Sequence, residues 1–233
     1  GARWFQFDVD EQSSLMIACC SGNTPGPGPA APTASSDKDV NYKLNLSYEV
    51  NDDLLFYAQA AQGFRSGGNN EPGISVVPGC QNASSFSSDG LWNYEIGAKM
   101  ALLDNRAVVN LTPYYIDWSD MQVRAFNPLC NNARIANAGE ARIQGVEAEV
   151  VLRPVAALQF NLTFNYSDAE LTENQPLATG TGNGTEGRKG DDIPGVPRTS
   201  SSAGVQYSFP VRNASLEGVL RGDYSYVGSS KTA

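Results

Sequence analysis

The strict alternation of apolar and polar residues in LQFNLTFNYS, residues 158–167, constrains the fold more than any other feature of the chain. One side of this segment is entirely polar. Because successive side chains of a β-strand point to opposite faces, the pattern predicts a strand with one apolar and one polar face. The apolar face then packs against the second sheet of a soluble sandwich or against lipid. The residues of that face are Leu158, Phe160, Leu162, Phe164 and Tyr166.

The same alternation recurs along the chain, for example in YKLNLSYEV, residues 42–50, and predicts about nine strands. Strands without intervening helical patterns predict an all-β fold, and tight turns between them predict antiparallel, up-and-down pairing in sequence order. We therefore expect strand 91–103 to pair with 107–123, and 136–152 with 158–170. The predicted strands are 2–16, 38–50, 54–64, 91–103, 107–123, 136–152, 158–170, 195–209 and 215–228.

The connections between these strands alternate in length. Short turns are predicted at Asn51-Asp52-Asp53 and Asp104-Asn105, whereas long loops cover 65–90 and 171–193, with a medium loop around AFNPLCNNAR, residues 125–134. Outer-membrane β-barrels sort their connections in this way, with short turns on one side and long loops on the other. A soluble sandwich has no reason to do so, and the pattern therefore favours a transmembrane barrel.

The polar faces and the aromatic residues agree with this interpretation. Charged residues at mid-strand suit a polar barrel lumen, although the outer face of a sandwich would carry them as well. Aromatic residues gather near the strand ends joined by long loops, as an interfacial girdle requires. The charged residues are Glu95, Lys99, Glu147, Glu149, Arg221 and Asp223. The aromatic residues are Tyr42, Trp92, Tyr166, Tyr224 and Tyr226.

Composition narrows the possible partners. Only 18% of the residues are charged, against about a quarter in a typical globular domain, and the net charge is -9. A nucleic-acid partner would require a basic surface, so we expect none. The sequence has no apolar run long enough for a transmembrane helix. Its first residues, GARWFQFDVDEQ, already alternate like the inside of a strand, and we expect the chain to begin within a domain.

Five segments in order resemble the barrel of TonB-dependent outer-membrane receptors. They are GFRSGG (63–68), the long segment from NYEIGAK to DMQV (93–123), NAGEARIQGVEAEV (137–150), IPGVPR (193–198) and LRGDYSYVG (220–228). The resemblance implies a bacterial outer-membrane barrel of 22 strands, of which residues 1–233 supply about nine, without the plug domain. The fold expected is thus an all-β, antiparallel, up-and-down transmembrane β-barrel segment.

The resemblance also implies a function. Receptors of this family import siderophore-bound iron, cobalamin or other scarce nutrients, powered by a TonB-type energy-coupling protein, and contact outer-membrane lipid and lipopolysaccharide. We expect a ferric siderophore as cargo and no enzymatic activity. The alternatives are a soluble or secreted β-rich binding or adhesion protein, and a passive porin.

Few motifs indicate a chemical site. The chain has no histidine, which removes the commonest general base and zinc ligand. The G-x-G-x-x-G match at residues 182–187 lies in a polar loop without the strand and helix that a dinucleotide site needs. Aspartate pairs at Asp52-Asp53 and Asp191-Asp192 suit turns and loop ends. We predict no catalytic, cofactor or metal site.

Arg65 is a weak candidate for contact with an anionic ligand, since it ends the GFRSGG strand at the mouth of the presumed barrel. The alternative is a solvated strand end.

The four cysteines all lie in predicted loops on the extracellular side. Cys80 and Cys130 lie in consecutive long loops, which the hairpin 91–123 brings to the same rim, and an oxidising compartment favours pairing. We predict a Cys80–Cys130 disulfide, with Cys19 and Cys20 left to a local pair or to other partners. The bridge would stabilise the fold by about 2–4 kcal/mol.

Overall fold

The computed structural model describes residues 1–11, 33–70, 85–127, 132–137, 139–175, 187–211 and 216–231. All regular structure in these ranges is β-strand. The described residues therefore contain no helix that could cross a bilayer. The strands are β1 (Ala2–Glu11), β2 (Thr33–Asn51), β3 (Leu54–Arg65), β4 (Gly68–Asn69), β5 (Ser85–Phe86), β6 (Asp89–Leu102), β7 (Ala107–Ser119), β8 (Gln122–Asn127), β9 (Asn132–Asn137), β10 (Ala141–Val155), β11 (Leu158–Leu171), β12 (Thr199–Pro210) and β13 (Glu217–Val227).

Nine of these strands form one antiparallel sheet in the order β1-β2-β3-β6-β7-β10-β11-β12-β13. Each long strand pairs with the next long strand in sequence, so the predicted all-β, up-and-down topology is confirmed, including the pairs β6–β7 and β10–β11. The sheet is open, with β1 and β13 at its two edges. The other four strands form two small hairpins, β4–β5 and β8–β9.

The connections separate the sheet into two ends. Tight turns at Asp52–Asp53, 103–106 and 156–157 lie at one end, which we call the turn end. The long connections and both small hairpins lie at the other, which we call the loop end. At the predicted turn Asp104-Asn105, both residues have positive φ (54° and 64°), as does Leu103 (56°), and the Arg106 N–H closes the turn by donating to the Leu103 carbonyl at 3.1 Å. The predicted alternation of short and long connections is confirmed.

Several strand bounds differ from the prediction. The segment predicted as one strand from 107 to 123 breaks at Asp120, which has φ of 54°, and Gln122 then begins the separate β8–β9 hairpin. The predicted medium loop therefore contains strand structure, and residues 136–137 belong to β9, not to β10. Residues 195–198, predicted as part of β12, lie in the loop before that strand. This loop bonds to the β11 backbone near the loop end, where Arg198 C=O accepts from Ser167 N–H at 2.9 Å and Ile193 N–H donates to Ala169 C=O at 3.0 Å. Residues 12–16 of the first predicted strand lie outside the described residues.

The pairing register confirms the predicted faces. Leu46 lies opposite Ala58, and Ala58 lies opposite Ile96, so these side chains share one face. Farther along the sheet, on the same face, Ala148 of β10 lies opposite Phe164 of β11. We call this the apolar face and the other the polar face. The predicted aromatic residues lie on the apolar face; Tyr42 is at the middle of β2, and the others lie in the half of their strands nearer the loop end.

The apolar face has no second sheet against it in the described part of the chain. β11 packs against its neighbours β10 and β12, and Leu162 and Phe164 remain 42% and 46% exposed. An apolar face that is continuous across the sheet and this exposed does not suit a soluble sandwich. The expectation of a membrane-facing surface therefore stands, and the sandwich alternative does not.

Apart from Ala107 beside the 103–106 turn, most of the buried residues lie toward the loop end, on the polar-face side of the strands. Met121, Ala141 and Leu171 form the core, and Trp118 and Ile193 pack against it. On the opposite face at the same level, the side chains are charged or polar. The distribution of polarity between the two faces is thus reversed at the loop end. The polar residues on the apolar-face side there are Asp117, Arg142, Gln144, Asp168 and Glu170.

Candidate functional site

Side-chain hydrogen bonds cross the polar face, two of them between neighbouring strands and one between β3 and β7, over the intervening β6. Tyr57 and Thr112 hydroxyls lie 2.6 Å apart, and Thr163 and Ser202 hydroxyls 2.7 Å apart. The Asn165 amide donates to the Glu147 carboxylate at 3.1 Å. These groups satisfy one another while leaving hydrogen-bonding capacity exposed, so the face offers a hydrated surface of neutral and acidic groups.

Two tyrosines on this face lie across glycines of the adjacent strand. A Cβ added at Gly97 would lie 2.4 Å from the Tyr57 ring, and one at Gly145 would lie 2.7 Å from the Tyr114 ring. Only glycine allows the rings to lie this flat against the backbone. The polar face is therefore flat around Tyr57 and Tyr114.

Arg65 occupies the loop end of β3, on the polar face, and is paired with Asp89 at the start of β6. The Arg65 Nε donates to the Asp89 carboxylate at 2.9 Å, and its Nη2 makes a second, shorter contact. The Asp89 side chain is 1% exposed, whereas the Arg65 side chain is 49% exposed, and its guanidinium carbon lies 4.6 Å from the Trp118 ring centre. The pair joins three strand ends, and Arg65 keeps an accessible edge.

The electrostatics of Asp89 follow from its contacts. Counted from the turn at Leu102, a spanning length of about 9–11 residues ends near Trp92, so Asp89 lies beyond the membrane-spanning part of the 14-residue β6. Burial, the largest single cause, raises the pKa of the Asp89 carboxyl, but hydrogen bonds from the Arg65 side chain and from the Gln122 and Arg65 backbone N–H groups, with the positive charge of Arg65, together lower that pKa by more. The net pKa lies below its ordinary value, and Asp89 is a carboxylate at neutral pH.

Two side-chain amides extend this arrangement into what we call the Asp89 network: Arg65, Asp89, Gln122 and Asn137. The Gln122 Nε2 donates to the carbonyls of Ser66 (3.0 Å) and Ser87 (3.1 Å). The Asn137 amide pairs with the Ser87 backbone in both directions, accepting at 2.7 Å and donating at 2.9 Å. The network therefore ties the β8–β9 hairpin to the segments that flank β4 and β5.

A second charged group lies at the loop end, on the apolar-face side. Asp192 accepts from Arg198 Nη2 at 2.7 Å and pairs with Lys231 Nζ at 2.9 Å, and Arg198 also lies 3.6 Å from Asp168. We call these four residues the Arg198 cluster. Hydrogen bonds from Arg198 and Lys231 lower the pKa of Asp192, and that carboxylate in turn raises the pKa of Arg198.

The structure places the predicted site residues as follows. Arg65 is at the loop end as expected, but it pairs with Asp89, and its contact with an anionic ligand stays a prediction. Cys80 and Cys130 lie outside the described residues. Sequence reasoning did not single out Asp89, Gln122 or Asn137. The pairing of β3 with β6, which puts Arg65 opposite Asp89, was the available signal.

The described residues hold no group of three or more metal-ligating side chains, which gives the structure no metal centre to consider there. What the geometry provides is an open sheet with one exposed apolar face, one hydrated polar face and a braced loop end.

Comparison with known proteins decides the family. A model of the TonB-dependent receptor-like β-barrel matches residues 1–233. The chain belongs to this family. TonB-dependent receptor barrels lie in the bacterial outer membrane, and this is the location of the chain. The apolar face is accordingly its lipid-facing surface, the polar face is turned to the lumen, and the alternative of a passive porin falls away.

Individual relatives are distant. The pesticin receptor of Yersinia pestis is 26% identical over 183 residues, which cover 78% of this chain and 24% of that protein. The metal-pseudopaline receptor CntO of Pseudomonas aeruginosa is 25% identical over 187 residues, 80% of this chain and 23% of that protein. The chain therefore spans about a quarter of the length of these relatives.

Solved structures share the fold. The ferric yersiniabactin uptake receptor FyuA from Yersinia pestis superposes with a TM-score of 0.68 at 21% identity, covering 97% of this chain and 33% of that one. The siderophore receptor PiuA from Acinetobacter baumannii gives 0.61 at 16% identity, covering 88% of this chain and 28% of that one. The open nine-stranded sheet thus corresponds to part of a TonB-dependent receptor barrel.

Proposed function

We propose that residues 1–233 form part of the barrel of an outer-membrane receptor that takes up a ferric siderophore, with energy from a TonB-type coupling protein, and that the receptor is not an enzyme. The observation that carries the proposal is the family match over the whole chain. The siderophore receptors among the structural neighbours, FyuA and PiuA, support the class of cargo.

The structure suggests how the parts would contribute. The hydrated polar face, with its flat tyrosine wall, would line the path of the cargo. The Asp89 network would hold the loop-end hairpins in one arrangement where the cargo first arrives, and the exposed edge of Arg65 above Trp118 would offer donors to an anionic chelate. The apolar face would contact outer-membrane lipid, with lipopolysaccharide at the loop end.

The Cys80–Cys130 disulfide remains part of this proposal. The loops that carry these cysteines both leave the loop end, and Asn70 joins them, because its amide donates to the Ile135 carbonyl at 2.8 Å and accepts from the Ile135 N–H at 2.8 Å. A bridge would restrain the same two loops. Mass spectrometry of the non-reduced, protease-digested protein tests it: a peptide pair linked through Cys80 and Cys130 is expected, and free thiols at both would contradict it.

The transport proposal is tested in cells under iron limitation. Deletion of the gene should abolish uptake of radioactive iron supplied as the ferric siderophore that the organism secretes, and the intact gene should restore it. Loss of the TonB-type protein should abolish uptake equally. Uptake that persists without that protein would contradict active transport. Loss of the uptake of another metal chelate in place of iron uptake would replace the ferric siderophore with a cargo of the kind named for the metal-pseudopaline receptor CntO.

A further inference from the structure

The Arg198 cluster lies where the lipid-facing surface meets the exterior. Asp168 is on the same face as Tyr166, two residues farther toward the loop end on β11, and the unbroken register of β10 and β11 keeps both on that face. Arg198 immediately precedes β12, whose first residue, Thr199, lies opposite Tyr166. The cluster therefore borders the aromatic girdle at the level of the lipid headgroups of the outer leaflet.

Within the cluster, the cations lie outermost. The side chains of Arg198 and Lys231 are 58% and 65% exposed, whereas those of Asp168 and Asp192 are 25% and 21% exposed. One carboxylate, Asp192, contacts both cations and so holds their charged groups near each other. The cluster contains two cations and two carboxylates, and its most exposed groups are the two cations.

Both cations retain donors that these contacts do not use. Arginine has five N–H donors in a fixed fork, and Arg198 directs only Nη2 to Asp192 and Asp168. Lysine has three donors, and among the residues that the structure describes Lys231 makes one ion pair, with Asp192. A phosphate group can accept from the remaining donors of both side chains at once, because Asp192 has already placed them together.

We propose that the Arg198 cluster binds the phosphate-bearing headgroup of an outer-leaflet glycolipid, with Arg198 and Lys231 as ligands and Asp192 as the residue that positions them. This inference rests on the lipopolysaccharide contact proposed above and assigns it a site. The position beside the girdle selects a lipid-borne phosphate over a soluble one, because the acyl chains of such a lipid can cover the adjoining apolar face.

Binding of diphosphoryl lipid A to the purified receptor that contains residues 1–233, in detergent micelles, tests the site by native mass spectrometry. Arg198→Gln and Lys231→Gln should each weaken binding about fivefold, and the double variant about thirtyfold, as expected for one surface cation each. The matched control is Arg221→Gln. Arg221 is an equally exposed arginine, 60%, in an ion pair with Asp223 on the polar face, and its loss should leave binding unchanged.

Three further outcomes decide the matter. Fully dephosphorylated lipid A should bind the wild-type chain as weakly as diphosphoryl lipid A binds the double variant; equal binding of both lipids to the wild type would overturn the phosphate assignment. Inorganic phosphate at millimolar concentration should compete poorly, and complete competition would identify a soluble anion as the occupant. Undiminished binding in Lys231→Gln, which lies outside every strand and should not disturb folding, would refute the site.

Iron uptake does not enter this measurement, because the purified receptor binds lipid A without a siderophore. A failed uptake experiment would therefore leave the lipid result standing, and a failed lipid experiment would leave the uptake proposal standing.

Discussion

The half of the sheet nearer the turn end, here called the turn half, and the half nearer the loop end, the loop half, place polar residues on opposite faces. In the turn half, Leu162 and Phe164 lie exposed on the outside, while Thr163 and Asn165 line the inside. In the loop half of the same strand, Asp168 and Glu170 lie outside and Ala169 and Leu171 are buried inside. The strand continues without a bulge between them. At the level of the aromatic girdle, the surroundings of both faces change. The outer face passes from lipid to exterior water, and the inner face passes from lumen water to a small protein core.

The largest expected effect comes from placing a charge in the lipid-facing part of the turn half. Leu162→Arg should lower the free energy of unfolding by about 2–4 kcal/mol, because the guanidinium enters hydrocarbon. Thr163→Arg, the adjacent residue on the polar face, should change it little. Urea unfolding in lipid vesicles measures both. Equal tolerance of the two substitutions would show that the two faces do not differ in solvent as described.

Gly145 lies at the boundary between the two halves. A Cβ there would lie 2.1 Å from the Tyr166 carbonyl oxygen, a backbone atom that cannot turn aside. Gly145→Ala should therefore cost about 1–3 kcal/mol of unfolding free energy. The matched control is Gly222→Ala, where the nearest atom is 3.8 Å away and packing is ordinary. A neutral Gly145→Ala in the same denaturation assay would mean that the two strands separate there more easily than the register indicates.

The loop half should depend on Asp89 in a way that the turn half does not. Asp89→Asn removes the charge that Arg65 and the Gln122 N–H share, and we expect a loss of about 1–3 kcal/mol confined to the loop end. Hydrogen exchange should rise in β8–β9 and around Ser87 while the turn half of β6 stays protected. Increased exchange throughout β6, including Ala98 and Met100, would contradict a local role.

The smallest effect is the pH dependence of the same group. Because the folded pKa of Asp89 is lower than its unfolded pKa, its stabilisation is complete at pH values above the unfolded pKa of about 4 and is lost as pH falls through the folded pKa. Protection of β8–β9 in the wild type should therefore decrease below about pH 4 and stay constant from pH 5 to 8. Asp89→Asn should show no such decrease beyond that of other carboxylates.

The turn half was predictable from the sequence almost completely. A period of two over 158–166 and 42–50 fixes the faces, and two-residue turns such as Asp104-Asn105 fix the pairing, since both signals are local. The five segments that resemble TonB-dependent receptors could also be recognised from the sequence. These features determine the topology without any knowledge of what lies across the sheet.

The loop half was less predictable because its order depends on contacts between distant residues. Asp120 interrupts what reads as a continuous strand, and the interruption is stabilised by the Gln122 N–H donating to Asp89, 33 positions earlier. A signal was nevertheless present in SDAEL, residues 167–171, where the alternation changes phase from even to odd apolar positions. Because β11 has no bulge at this point, the change of phase shows that the surroundings of its two faces change there. The segment 167–171 therefore marks the boundary of the membrane-spanning part.

The ring of Tyr57 over Gly97 has a consequence for how such barrels diverge. Neither residue can change independently. A Cβ at Gly97 would clash with the Tyr57 ring. A smaller residue at position 57 would leave the Gly97 backbone uncovered and would remove the hydrogen bond to the Thr112 hydroxyl. Among descendants of this sequence, the two positions should be retained or replaced together. Lineages that acquire alanine or serine at position 97 should have lost the tyrosine first, which gives this part of the lumen wall a preferred order of mutation.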